Sequence, residues 1–168
     1  MSPAPIRVEQ SVVIAVPPAL VWSAVSDPTA YGRWSPEATG ARVRGRGRDA
    51  GPLRVGDVFT GRNRVWLPWA TRCEVVAVDE ERRFAYDASL AGLPIARWSF
   101  ELQPRPDGAT GVTQVWEDHR TGARGTVMRP AGLFVGRGLD ASRRNEATMR
   151  ETLRRLKNDL ERRPRPAS

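Results

Sequence analysis

The sequence offers few side chains for acid–base, covalent or metal chemistry. Its single histidine, His119, follows Glu117 and Asp118. Along a strand, alternation would place Glu117 and His119 on one face and Asp118 on the other, and one histidine with one carboxylate makes a poor metal site. We therefore interpret this run as a solvated strand end and expect neither a metal nor a cofactor. Cys73 is the single cysteine; no histidine shares its predicted face, which favours a small buried apolar residue over a nucleophile.

Two residues, Tyr86 and Asp118, are candidates for catalysis. The Tyr86 hydroxyl could donate a hydrogen bond to a carbonyl, and Asp118 could act as a base if it faced inward and were desolvated. Arg64 and Arg72 could stabilise an enolate, but alternation places both on the outer face of the predicted sheet. Whether the protein is an enzyme stays open at this point.

Strand alternation collects a larger set of mainly aromatic side chains on one face, with a few polar groups among them. An apolar wall with a few polar groups is typical of a ligand pocket; a solid core whose amides are simply satisfied is the alternative. Trp34, after the predicted helix pair, either lines the pocket mouth or wedges the helices against the sheet. The candidate ligand-binding residues are Trp34, Phe59, Asn63, Trp69, Cys73, Tyr86, Trp98, Phe100, Gln114, Trp116, Asn145 and Met149.

The elements that must position these residues follow from hydrophobic periodicity. A period of two predicts a first strand over residues 8–16, and proline-bounded segments over 19–25 and 29–34 predict two short helices. Alternation predicts that Val65 and Ala77 also face inward. Six further strands are predicted over residues 38–44, 55–65, 69–79, 84–89, 95–102 and 112–120.

The C-terminal part of the chain predicts one long helix over residues 139–163. Met149, Leu153, Leu156 and Leu160 recur at spacings of four, three and four, which gives one apolar face. A long antiparallel sheet must curl, and its concave face needs an apolar filler that only this helix can supply. We therefore predict an α+β fold in which about seven strands, in the order β-α-α-β6-α, wrap around the helix. Residues 1–163 would form one domain, with 121–138 a mobile connection and 164–168 a frayed tail.

The chain is strongly basic, with a net charge of +8. The arginines are spread along the sequence, which favours a compositional origin over a nucleic-acid partner. The Arg/Gly stretch 42–48 is one short copy without aromatics, typical of a solvated loop, although it could help an anionic ligand or a membrane surface approach a cavity. No apolar run nears the roughly 20 residues that span a bilayer, and no signal peptide is visible. We expect a cytoplasmic protein, monomeric or homodimeric, with no integral membrane association.

Four stretches carry a resemblance to a known superfamily. They read VPPALVWSAVSDPTAYGRWSPE at 16–37, GDVFTGRNR at 56–64, RRFAY at 82–86 and MRETLRRLK at 149–157. Over residues 7–160 the chain resembles the START-like (Bet v 1-like, SRPBCC) superfamily, and within it the polyketide cyclase/dehydrase and lipid-transport group. The resemblance implies a helix-grip fold with a cavity, but no single catalytic set. The expected function is binding of a small hydrophobic molecule, such as a lipid, a polyketide-like ring system or another aromatic metabolite. The alternative is a cyclase, aromatase or dehydratase acting in the same cavity.

Overall fold

One antiparallel sheet of seven strands forms the frame of the protein in a computed structural model that describes residues 6–45, 51–120 and 141–163. The strand order across the sheet is β1-β7-β6-β5-β4-β3-β2. The strands are β1 (Arg7–Ile14), β2 (Ala38–Val43), β3 (Val58–Arg64), β4 (Pro68–Asp79), β5 (Arg83–Leu90), β6 (Leu93–Pro104) and β7 (Thr110–Asp118). The helices are α1 (Pro18–Val25), a 3-10 helix (Pro28–Arg33) and the long α2 (Ala141–Arg162).

The chain order explains this sheet. Five hairpin-connected neighbours, β3 to β7, follow one another in space as they do in sequence, and β1 pairs with β7 at one edge. The α1 and 3-10 helices carry the chain from β1 to β2 at the opposite edge. The predicted α+β helix-grip fold, with seven strands and a closing C-terminal helix, is confirmed.

The two short helices are tied together by side chains. Pro18 begins α1, where a missing N–H costs nothing. Asp27 caps the next turn by accepting hydrogen bonds from the Thr29 backbone N–H and hydroxyl at 3.0 and 2.6 Å. The buried Tyr31 hydroxyl donates to the Val25 carbonyl at 2.6 Å. The second predicted helix is therefore a compact 3-10 turn held against α1.

Helix α2 lies with its apolar face on the sheet. Met149, Leu153, Leu156 and Leu160 are all buried, as their spacing predicts. Its C-terminal half is fixed to β1, because the Lys157 ammonium donates to the Val13 carbonyl at 2.7 Å. The leucines of this half join the core beneath α1, and Leu156 also borders the cavity described below.

Local irregularities account for the differences from the predicted strands. A bulge between Val75 and Ala77 shifts the β4 register, so that Val78 pairs with Phe84 and Ala77 pairs with Ala85. The prediction that Ala77 faces inward is therefore wrong, since a bulge inverts the alternation beyond it. Val65 was also predicted to face inward, but it lies in the β3–β4 turn and is exposed.

Turn chemistry fixes two other boundaries. The predicted connection between β5 and β6 shrinks to Ala91-Gly92, whose positive φ angles of 49° and 79° suit a two-residue hairpin. Strand β3 begins at Val58 rather than at residue 55, because the Asp57 carboxylate accepts from the Arg54 N–H at 2.7 Å and closes a turn. The segments 121–138 and 164–168, predicted as a connection and a tail, lie outside the described residues.

Candidate ligand-binding cavity

A cavity of about 170 Å³ lies between the concave face of the sheet and the N-terminal half of α2. A dry apolar cavity of roughly 150 Å³ can hold a benzene ring, so this space admits a small molecule. The predicted candidates that line it are Trp34, Phe59, Asn63, Trp69, Cys73, Tyr86, Trp98, Phe100, Gln114, Trp116 and Asn145. Strand alternation brings these side chains together from β3 to β7, and α2 covers them.

Met149 is the candidate that the structure places elsewhere. It is fully buried in a cluster with Ala96 and Trp116 and is absent from the cavity wall. It shares the helix face of Asn145, but one turn further along α2 that face meets the sheet directly. Met149 therefore supports the wall rather than forming it.

Aromatic rings build the floor of the cavity. The Tyr86 ring packs edge-on against Phe59, with centroids 5.1 Å apart, and lies 6.3 Å from Tyr31. Tyr31 in turn packs on Phe100 at 5.9 Å. Edge-to-face geometry of this kind stabilises aromatic clusters beyond their buried area. Tyr31 was missed as a wall residue, because a short proline-rich segment does not reveal which of its faces meets the sheet.

Several polar groups in the wall have no hydrogen-bond partner among the described residues. The Gln114 Oε1 and Trp69 Nε1 atoms are buried and, among the described residues, make no hydrogen bond. Gln114 is only 7% exposed. The Asn145 carboxamide and the half-buried Tyr86 hydroxyl also border the cavity, without a hydrogen bond to another described residue. Because buried polar groups are almost always hydrogen-bonded, a wall with several unpaired ones suits a molecule that brings its own donors and acceptors.

Burial sets the protonation of the titratable wall residues. Burial, with the nearby Cys73, raises the pKa of Tyr86 well above its ordinary value. Burial also raises the pKa of Cys73 to about 11, despite a 3.4 Å hydrogen bond with Thr71. Both groups therefore stay protonated at neutral pH. Tyr86 is a neutral hydrogen-bond donor, and the expectation that Cys73 is a buried residue rather than a nucleophile agrees with this geometry.

Charged residues gather at the end of the cavity near the start of α2. Glu37 Oε1 accepts from the Thr148 hydroxyl at 2.9 Å, and Arg144 Nε lies 3.3 Å from the same oxygen without hydrogen-bonding geometry. Arg120 also borders the cavity. This cluster could not be predicted from the sequence, because Glu37 and Arg144 are far apart in the chain and meet only through the fold.

Asp118 does not have the environment of a general base. Both of its carboxylate oxygens accept from the Arg120 guanidinium, at 2.8 and 2.6 Å, and it is absent from the cavity wall. Glu117 instead pairs with Arg7 at 3.0 Å, so the run 117–119 is split as alternation predicts, but the expectation of a solvated strand end is wrong for Asp118, which is buried. Within the described residues no group of three or more His, Cys, Asp or Glu could hold a metal ion.

The comparisons with known proteins agree with this architecture. The sequence model of the family described as polyketide cyclase/dehydrase and lipid transport matches residues 5–161. The chain belongs to this family. No curated protein matches it.

Solved structures similar to this member of the polyketide cyclase/dehydrase and lipid-transport family share its fold. The Polyketide_cyc-like protein Cgl2372 from Corynebacterium glutamicum is 29% identical, with 98% of this chain and 99% of that chain covered and a TM-score of 0.57. MLL2253 from Mesorhizobium loti is 20% identical, with 95% and 99% covered and a TM-score of 0.64. DynU16, from the dynemicin biosynthetic locus, is 18% identical, with 93% of this chain but 47% of that chain covered and a TM-score of 0.59.

Trp34 combines the two roles that its position in the sequence left open. Its ring borders the cavity, and it is almost completely buried. Its Nε1 donates to Asp159 Oδ2 on α2 at 3.0 Å. In this family member Trp34 therefore both lines the cavity and fastens the 3-10 helix to the long helix.

Within the described residues, no helix is long and apolar enough to cross a bilayer.

Proposed function

We propose that this protein binds a small, mainly aromatic molecule with hydrogen-bonding oxygens in the cavity beneath α2. The observation that carries the proposal is an aromatic wall containing buried, unpaired polar atoms of Gln114 and Trp69. Apolar burial drives binding, whereas the few polar groups fix orientation. Leaving these atoms unpaired costs about 1–3 kcal/mol each, so a ligand that pairs them recovers part of that cost.

The unpaired groups describe the chemistry of such a ligand. The Trp69 indole N–H and the protonated Tyr86 hydroxyl offer hydrogen bonds to a carbonyl or ether oxygen. Gln114 Oε1 accepts a hydrogen bond from a hydroxyl group. A phenol or hydroxyketone provides both kinds of group, which supports an aromatic or polyketide-like metabolite over a simple hydrocarbon.

Calorimetric titration with 2-naphthol tests this proposal. Ala41 lines the cavity from β2, so Ala41→Leu should fill part of it and weaken binding at least about tenfold. Ala70→Leu makes the same change at an exposed position of β4 and should leave binding unchanged. Unfolding temperatures of both variants confirm that they fold. Failure of the native protein to bind 2-naphthol, together with no retained small molecule in native mass spectrometry of protein from its own host, would refute the proposal.

A second function, cyclisation or dehydration of a reactive chain, is favoured by one observation. Tyr86 stays protonated inside the cavity. A residue that donates a hydrogen bond to a carbonyl during enolisation must be protonated in this way. If the protein is a cyclase, adding it to a polyketide extract from its host should change the product distribution. Tyr86→Phe should abolish that change while the variant still binds 2-naphthol. An unaltered product pattern with the native protein would leave binding as the function.

A further inference from the structure

Three consecutive large apolar side chains project into solvent at the turn between β3 and β4. Val65, Trp66 and Leu67 are 36%, 58% and 55% exposed. Single apolar residues on a surface are ordinary, but a contiguous group marks an interaction site. Tryptophan is also the side chain that favours the boundary between water and an apolar phase. We call these three residues the β3–β4 tip.

A basic surface adjoins the β3–β4 tip on the outer face of β2, β3 and β4. Thr60 pairs with both Arg42 and Arg72, and Arg62 and Arg64 follow it along β3 at a period of two, so the four arginines share one face. All four are exposed. Arg72 pairs with Glu74 at 3.0 Å, whereas the other three have no ion-pair partner among the described residues. Strand pairing thus places four arginines that are separated in the sequence on one face of the sheet.

The three strands carry two acidic residues, Glu74 and Asp79 of β4, and Glu74 offsets the charge of Arg72. Segments 38–45 and 58–73 contain five arginines, which include Arg44, and no Asp or Glu. The surface therefore combines positive charge with an apolar tip. An anionic lipid bilayer has the complementary pair of properties, because its headgroups are negative and its interface accepts tryptophan and leucine.

The cavity lies directly behind the β3–β4 tip. Asn63 and Trp69 are Cα partners across this hairpin, in the second pair from the tip, and both line the cavity. Arg62 also borders it. A bilayer in contact with the tip would therefore face this end of the cavity, where an apolar molecule could pass between lipid and protein with little exposure to water.

We infer that the β3–β4 tip docks on an anionic membrane surface, with Trp66 and Leu67 inserted in the interface and Arg42, Arg62 and Arg64 against the headgroups. A protein partner is less suitable, because three tip residues alone fall short of the roughly 1,000 Å² that a stable interface buries. The inference goes beyond the proposed function, since docking is independent of what occupies the cavity.

Vesicle sedimentation tests the apolar part of the β3–β4 tip. We expect the native protein to bind vesicles of 70% phosphatidylcholine and 30% phosphatidylglycerol, and to bind pure phosphatidylcholine much more weakly. Trp66→Ser with Leu67→Ser should reduce binding at least about tenfold. Val13→Ser, at an exposed apolar position of β1, is the matched control and should bind as the native protein does.

The charged part is tested by arginine variants and salt. Arg42→Gln and Arg64→Gln should each weaken binding about fivefold, and binding should fall as salt rises. Arg83→Gln removes an exposed arginine from the start of β5 and should have no effect. The inference is overturned by absence of binding to the anionic vesicles at low salt, or by equal binding of the tip variants. It is also overturned if the native protein self-associates and Trp66→Ser abolishes that association without changing vesicle binding. If every variant still binds 2-naphthol, any of these results overturns membrane docking alone and leaves the proposal of a ligand-binding cavity intact.

Discussion

Replacing Gln114 with methionine should make the protein more stable and worse at recognising a hydroxylated ligand. Gln114 is 7% exposed, and its Oε1 atom is buried without a hydrogen-bond partner in the part of the chain that the structure describes. An unsatisfied buried acceptor costs about 1–3 kcal/mol, and a partner-free polar group can be replaced by an apolar one of similar shape with a gain. Methionine is unbranched and of similar length, so it fits the same space. We expect Gln114→Met to raise the free energy of unfolding by about 1–2 kcal/mol.

The gain in the free energy of unfolding should appear as a higher urea midpoint. The slope of that free energy against urea concentration should not change, because the area exposed on unfolding stays the same. For a chain of this length the gain corresponds to an increase of about 2–8 °C in melting temperature. Gln103→Met makes the same substitution at an exposed position of β6 and should change the stability little.

Ligand recognition supplies the second half of this prediction. 2-Naphthol can donate a hydrogen bond to Gln114 Oε1, whereas 2-methoxynaphthalene cannot. The native protein should prefer 2-naphthol by about tenfold, and Gln114→Met should lose that preference. A variant that is less stable than the native protein, or that keeps the preference, would show that Gln114 is a structural residue with partners of its own.

Three further outcomes follow from the side chains around the cavity. Burial alone raises the pKa of Asp159, but hydrogen bonds from Trp34 and Arg163 outweigh it and hold the pKa below 3.8. The ionised Asp159 carboxylate therefore stabilises the folded protein fully above about pH 5, and this contribution is lost as the pH falls through the lowered pKa of Asp159. Trp34→Phe should cost about 1 kcal/mol at pH 7, because Asp159 is partly exposed, and should flatten the acid limb of the stability curve measured by urea unfolding. Cys73, with a pKa of about 11, should react with iodoacetamide at pH 8 about a hundredfold more slowly than the unfolded chain does, and faster at each step toward pH 11. Tyr86→Phe should weaken 2-naphthol binding about three- to tenfold in calorimetry, with no loss of thermal stability, since the Tyr86 hydroxyl has no partner in the described residues.

Periodicity predicted the fold because each element carries its own signal. The stripe from Met149 to Leu160 needs only the helical repeat, and alternation alone placed Phe59, Cys73 and Gln114 on one face. The same reasoning failed where a local feature breaks the repeat. The β4 bulge moved Ala77 to the other face, and nothing in the residue types around it marks that extra position.

The charged features of the site were beyond sequence reasoning for a different reason. Asp118 and Arg120 are two residues apart, a spacing that places both on one strand face, but it does not show that both carboxylate oxygens bind one guanidinium. Glu37 meets Thr148 only because β2 and α2 converge at one end of the cavity. The contact of Glu37 with Thr148 depends on tertiary geometry, and the spacing of these residues along the chain carries no trace of it.

The attachments of α2 indicate where the cavity must open. Its C-terminal half is held by Lys157 on β1 and by the bond from Trp34 to Asp159, and its leucines complete a solid core. Displacing this half would break those contacts together.

The N-terminal half of α2 is held differently. Asn145 and Thr148 face the cavity itself, and this half is held by the Thr148 hydrogen bond to the half-buried Glu37 and by the packing of Met149 on Ala96 and Trp116. The Glu37 carbonyl in turn accepts from the Arg64 N–H at 2.8 Å, next to the β3–β4 tip. Because the cavity-facing half of the helix, the charged end of the cavity and the strand end beside the β3–β4 tip meet at Glu37, a ligand should enter there. Glu37→Gln keeps the shape but weakens the attachment to Arg144, and it should speed release of 2-naphthol in stopped-flow measurements more than it changes the equilibrium affinity. Unchanged release rates would place the entrance elsewhere.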